Sequence, residues 1–307
     1  MKKSRVIASV VVLAMAGSLF IPPVQTFAVN AMGVFRVSDP NVINISAQDL
    51  TEIAQNVQAL KNGKEDSGAQ TDNGEQSTDK QKMADRMRQY ETVLNSASDF
   101  KAFSFSLPTY FKDQAPTIKE IDLPAKTTAI DTAKANQCLA ELQSAVTLPE
   151  SLNGRQATVN PSPMIVAEYP DAICFAAQKP TYDLPGNLES LIAQAVTTLP
   201  LLTDDIRSQL GNISLFDKNI YLLNVEGVTK TADLGGNTGY IYAVNDVTTL
   251  AGNLSSTSQS DKSGDIIQKL QEYAGYEVIL WVSDGTLYGV SGKYSDDQLA
   301  AIAKSMR

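Results

Sequence analysis

The chain has 307 residues, 43% hydrophobic and 19% charged, which is too apolar for a disordered polymer and long enough for one large or two ordinary cores. It contains no histidine, so Ser/His/Asp and Cys/His nucleophilic sites, H-E-x-x-H zinc sites and imidazole pH switches are excluded. Two cysteines without histidine cannot build a structural zinc site of the four-cysteine or mixed cysteine–histidine kind, and a formal charge of -9 argues against a nucleic-acid-binding surface.

Met1-Lys2-Lys3-Ser4-Arg5 reads as a basic leader, and Val6 to Phe20 as the apolar stretch of an export signal, short of the roughly 20 residues of a comfortable membrane span. Small residues after Pro22-Pro23 put cleavage after Ala28 or Ala31. An uncleaved anchor is the alternative, because a segment stretched to Val24 spans a thin bilayer with some tilt. Residues 1–28 are therefore assigned as signal peptide or membrane anchor. The remainder is expected to be extracytoplasmic, either secreted or held to the cell membrane by the N-terminal segment. Without Lys2, Lys3 and Arg5, 22 basic residues face 34 acidic ones, a balance that anionic lipid and nucleic acid repel.

Val34 to Ile45 alternates as a strand, and Ser46-Ala47-Gln48-Asp49 reads as a helix start with Ser46 as cap. Leu50, Ile53, Ala54, Val57 and Leu60 continue that helix as one apolar stripe, so residues 29–60 form a strand plus a capped helix. Residues 61–80 carry a single apolar side chain, Ala69, and read as a flexible acidic linker. From 81 to 307 an α+β domain is expected. A helix is predicted over Lys82 to Leu94 and a strand over Phe100 to Leu107, with Phe103, Phe105 and Leu107 on one face.

Ala133 to Val146 places Ala135, Cys138, Leu139, Leu142, Ala145 and Val146 on one helical face. Met164 to Tyr169 and Ile173 to Ala177 read as strands joined by Pro170-Asp171. Leu188 to Val196 is an amphipathic helix, and Thr203-Asp204-Asp205 opens another after Pro200. Asn219 to Val228 and Gly239 to Val244 are strands. Tyr276 to Ser283 and Thr286 to Val290 form a hairpin on Asp284-Gly285, a favoured type I′ dipeptide. Both faces of Tyr276 to Ser283 are apolar, which predicts a central strand covered by helices. Ser295-Asp296-Asp297-Gln298 has capping-box spacing ahead of the stripe Leu299, Ile302 and Met306.

Val34-Phe35-Arg36-Val37, the stretch from Leu148 to Gly154, and above all Leu280 to Gly292 with Leu299 to Met306 resemble a Gram-positive extracytoplasmic domain family of unknown function. The resemblance is most specific over the last thirty residues. In that family such a domain often follows a membrane segment, sometimes behind a cytoplasmic anti-sigma-like module. Its fold is similar to the curved sheets of periplasmic sigma-regulators and lipoprotein carriers. Only five residues precede the apolar run here, so a direct grip on a sigma factor is not expected, and the resemblance supplies no catalytic residue.

Cys138 and Cys174 leave two readings open: a disulfide closing a long loop, worth about 4 kcal/mol in the chain-entropy model, or two small core hydrophobes. Without a C-x-x-C pair, redox catalysis is set aside. Asp204-Asp205 and Asp296-Asp297 read as first-turn acids that offset a helix dipole rather than as cation ligands. Gly235-Gly236-Asn237 reads as a turn, and Ser98-x-x-Lys101 lacks the companion motifs of a penicillin-binding nucleophile. Trp281, Tyr288, Tyr240, Tyr242, Phe103 and Phe105 are expected to line one face of a curved sheet, as ordinary core or as the border of a cleft.

The expected fold is α+β, with a curved, mainly antiparallel sheet covered by helices. The expected function is that of a non-enzymatic sensory or protein-interaction module of the bacterial cell envelope. A carrier or sensor of an apolar ligand such as an acyl chain is the alternative. No catalytic residue, metal ligand or cofactor is assigned; the partner is another envelope protein or an apolar ligand, with no nucleic acid.

Overall fold

The computed structural model describes residues 42–62, 89–214, 216, 219–246 and 275–306. Residues 1–28, expected as signal peptide or membrane anchor, residues 34–41 of the first expected strand, residues 63–80 of the expected linker and residues 82–88 of the expected helix lie outside them.

Strand β1 (Val42–Ile45) runs into helix α1 (Ala47–Asn62). A reciprocal cap starts the helix: Asp49 N–H donates to Ser46 Oγ at 3.0 Å, and Ser46 N–H donates to Asp49 Oδ2 at 2.9 Å. The helix ends at Asn62, two residues into the stretch read as linker.

Residues Glu91–Leu94, expected to end a helix, instead form strand β2. They pair antiparallel with β3 (Thr117–Ile121) from Glu91↔Ile121 to Leu94↔Ile118. Thr92 and Val93 are β-branched, and long-range pairing overrides the weak helical stripe that continued into them. Between these neighbours the chain makes a long excursion. A turn at Ala97–Asp99, capped by Ser96, leads into an extended strap that ends in a second turn at Thr109–Phe111. The strap holds Phe100 to Leu107, predicted as a strand, but the backbone joins no ladder among the described residues. The alternation still operates: Phe103, Phe105 and Leu107 are half-buried on one side while Ser104 and Ser106 are exposed.

The remaining elements are β4 (Lys126–Ala129), α2 (Thr132–Glu141), β5 (Gln156–Asn160), β6 (Met164–Glu168), β7 (Ala172–Gln178), β8 (Thr181–Asp183), α3 (Leu188–Thr197), α4 (Asp204–Gly211), β9 (Leu222–Val225), β10 (Thr229–Asp233), β11 (Thr238–Ala243), β12 (Glu277–Ser283), β13 (Thr286–Gly292) and α5 (Asp296–Lys304). Helix α2 stops five residues before the expected Val146, because Gln143 turns into the left-handed region at φ 54°. The β12–β13 turn is as predicted, with Asp284 at φ 50° and Gly285 at φ 73°. Helix α5 carries the predicted capping box between Ser295 and Gln298.

One sheet has the order β10-β11-β12-β13-β7-β6-β3-β2, with every pair antiparallel. β4-β5-β8 form a smaller antiparallel sheet, and β1 pairs parallel with β9. The chain is thus α+β with mainly antiparallel sheets. Both faces of the large sheet are buried. On one, Ile279 and Trp281 of β12 lie with Ile241, Val290 and Cys174 beneath Leu299 and Ile302 of α5 and Met306 just after it. On the other, Val278 and Leu280 lie with Tyr242, Phe175 and Met164 against Ile220, Tyr221 and Leu222, joined by Ile43 of β1. Helices were expected over both faces of β12; a strand layer covers the second, since the residues leading into β9 already carry an apolar run.

Candidate functional site

Trp281 and Tyr288 are directly opposite each other on β12 and β13, and their rings stack with centroids 5.5 Å apart and planes 14° apart. Tyr288 also faces Ala176 of β7, which is fully buried and offers no bulk beside the ring. The strap runs over this face. Phe103 meets Phe100 edge-on at 4.8 Å, and the two pack over Ile118, Ile165 and Ala176. Phe105, Leu107 and Tyr288 touch both this cluster and the one beneath α5, so the two join in one apolar seam. The Tyr288 hydroxyl donates to the Ser104 carbonyl at 3.2 Å and ties the strap to the sheet.

Four of the six aromatics expected on one face are therefore brought together: Trp281, Tyr288, Phe103 and Phe105. Tyr240 and Tyr242 are not among them. Their partners on β12 are Leu280 and Val278, whose side chains point to the opposite face from Trp281. Tyr242 is fully buried there, and its hydroxyl donates to the Leu223 carbonyl at 2.6 Å. Burial pushes both phenols up, Tyr288 with a further push from the charge of Asp284 and Tyr242 with one from Tyr240.

Cys138 and Cys174 form no disulfide. Cys138 is exposed on α2, while Cys174 lies buried in β7 under α5, where burial pushes its thiol up to about 12. The staple between helix and strand is not made, and the description as a core hydrophobe fits Cys174 alone.

The acidic pairs sit in the first turns of α4 and α5, behind the caps Thr203 and Ser295. Gly235 and Gly236 form the turn between β10 and β11, both at positive φ. The Lys101 amine donates to the Ser98 carbonyl at 2.5 Å, and the Ser98 hydroxyl pairs with that of Ser96, so the S-x-x-K spacing is local turn geometry. Among the described residues, no group of three or more Cys, Asp or Glu is placed to hold a metal ion, and no helix is long and apolar enough to cross a membrane.

A second feature lies where the sequence predicts helix. Strand β2 ends the large sheet, and Asp122 N–H donates to Tyr90 O at 3.1 Å. That bond sets the alternation: Thr92 and Leu94 bond β3, and Val93 turns its own N–H and C=O away from it. Val93 is also 68% exposed, the most exposed large hydrophobic among the described residues; Tyr110, beside the strap's second turn, follows at 42%. The signal that would have found it is the β-branched pair Thr92-Val93.

No protein-family model, no curated protein and no solved structure matches this chain.

Proposed function

We propose that the protein is an exported, non-enzymatic interaction module of the bacterial cell envelope that presents the β2 edge to an extended strand of another envelope protein. The carrying observation is Val93, which combines an exposed apolar side chain with backbone groups directed away from β3, its ladder neighbour among the described residues. Strand addition supplies affinity through the backbone, and Val93 supplies an apolar contact. A photo-crosslinker at position 93, introduced in cells, is expected to capture a defined envelope partner. The same group at Thr128, on exposed β4, is the control. Equal capture at both positions, or none at 93, overturns the proposal. N-terminal mass analysis of the exported protein, with Val29 or Met32 as the expected first residue, tests the export step.

A second function has its own observation. The strap covers the apolar seam and is tied to the sheet by the Tyr288–Ser104 bond, so lifting it uncovers Trp281, Tyr288 and Ala176 to an acyl chain. Native mass spectrometry on residues 29–307, purified without detergent, separates the two. Extra mass lost on denaturation supports the carrier, and a bare chain supports the interaction module.

A further inference from the structure

Lys230 of β10, Glu277 of β12 and Asp296 of α5 meet at one end of the large sheet. Lys230 pairs with Ile241 and Ile241 with Ile279, so Lys230 and Glu277 both belong to the face that α5 covers. Lys230 Nζ lies 3.0 Å from Asp296 Oδ2 and 3.3 Å from Oδ1. Glu277 is on the same face of the sheet as Lys230 and feels the charges of Asp296 and of Asp246, just past β11. Glu277 Oε2 is buried without a hydrogen-bond partner. Among the described residues, one ammonium therefore serves three carboxyl groups. A hydrogen bond between two carboxyls requires a proton on one of them, because carboxylates only accept.

We propose that Glu277, Asp296 and Lys230 form a proton-operated latch that fastens the first turn of α5 and the edge strand β10 to β12. With the proton present, Glu277 donates to Asp296, and Asp296 holds Lys230. When it leaves, two carboxylates face each other and Lys230 is drawn between them, which loosens β10 and the helix start together. Leu299 and Ile302, with Met306 just past the helix, keep the rest of α5 in place.

The charges around the latch set its range. Burial, the Asp296 hydrogen bond and charge, and the charge of Asp246 push Glu277 up to about 7, with Lys230 opposing. Burial raises Asp296 too, but its bonds to Glu277 and Lys230 outweigh that and hold it low. The proton belongs to the pair. Glu277 is raised above its ordinary value of 4.5, so the folded chain binds more protons than the unfolded one between there and about 7. Stability falls as pH rises through that window. A chain without histidine thereby gains a response to pH near neutrality.

Carbon-detected NMR of the Glu277 carboxyl and hydrogen exchange of the full chain, corrected for intrinsic rates, test this between about pH 5 and pH 8.5. The carboxyl is expected to titrate near neutrality, and residues 229–233 and 296–298 to lose several-fold protection over the same range while β7 does not. Glu277→Gln keeps a permanent donor toward Asp296 and is expected to make protection independent of pH. Asp246→Asn, which leaves the pair intact, is expected to lower the midpoint. A Glu277 carboxyl that titrates in the ordinary range, or pH dependence that survives Glu277→Gln, overturns the latch.

Discussion

Thr203 and Asp49, 154 positions apart, share a hydrogen bond while each also caps its own helix: the Thr203 hydroxyl donates to Asp49 Oδ1 and accepts from Ile206 N–H at the start of α4. Asp49 holds Ser46 at the start of α1. Two helix starts are thus fixed by one buried polar contact, and Asn56 adds a weaker link from α1 to the Leu201 carbonyl at 3.4 Å.

Thr203→Val removes the cap and one of the Asp49 partners at once, with an expected loss of about 2 kcal/mol in urea unfolding. The loss is expected to be less than additive with Asp49→Ala, because the two side chains share the contact. Burial raises the Asp49 carboxyl, but the hydrogen bonds from the Ser46 side chain, Thr203 and the Ser46 backbone hold it below its ordinary 3.8. Its contribution is therefore present above that value and disappears as pH falls through the lower folded one. The stability difference between the wild type and Asp49→Asn should shrink at strongly acidic pH; a constant difference would show that the charge is not what matters.

Gly289 of β13 sits under the Phe175 ring, where a Cβ would lie 2.3 Å from Cζ and 2.9 Å from Leu280 Cδ2. Gly289→Ala is expected to cost about 1–3 kcal/mol by overpacking, and Phe175→Leu in the same chain to recover part of it. Additive losses in thermal unfolding would count against direct contact as the cause.

How much of this was legible follows the strength of the local signal. The β12–β13 hairpin, α3, α4, α5 and the β6–β7 pair carry two-residue turn chemistry, caps or dense apolar stripes, so their sequences specify them. β4 (Lys-Thr-Thr-Ala) and β10 (Thr-Lys-Thr-Ala-Asp) have no apolar alternation and become strands only because β5 and β11 lie beside them. The aromatic site was half legible for the same reason. Trp281 and Tyr288 sit symmetrically about the Asp284-Gly285 turn, which fixes their pairing, whereas the register of β11 against β12 is set through residues far apart in sequence. A one-residue shift there would have put Tyr240 and Tyr242 beside Trp281.

Native protein is expected to react with one equivalent of a bulky thiol reagent, at Cys138, and a second only after unfolding exposes Cys174. Reductant should leave the unfolding midpoint unchanged. Two slow thiols, or a midpoint that drops with reductant, would show that the two cysteines pair in solution.

Tyr288→Phe deletes the hydroxyl that holds the Ser104 carbonyl and keeps the ring against Trp281. A modest loss, about 1 kcal/mol, is expected. Hydrogen exchange should accelerate over 100–107 and remain unchanged over 277–283. Uniform acceleration along β12 would mean that the bond supports the sheet rather than the strap.

The parallel register of β1 on β9, from Val42↔Leu222 to Ile45↔Val225, has a mechanical side. A pull on the chain ahead of Val42, resisted through the segment that leaves Val225, draws the two strands lengthwise past each other, so the rungs of the ladder bear the tension together instead of peeling apart in turn. Tension that reaches Val42 from the chain ahead of it therefore enters the described residues through a shear joint.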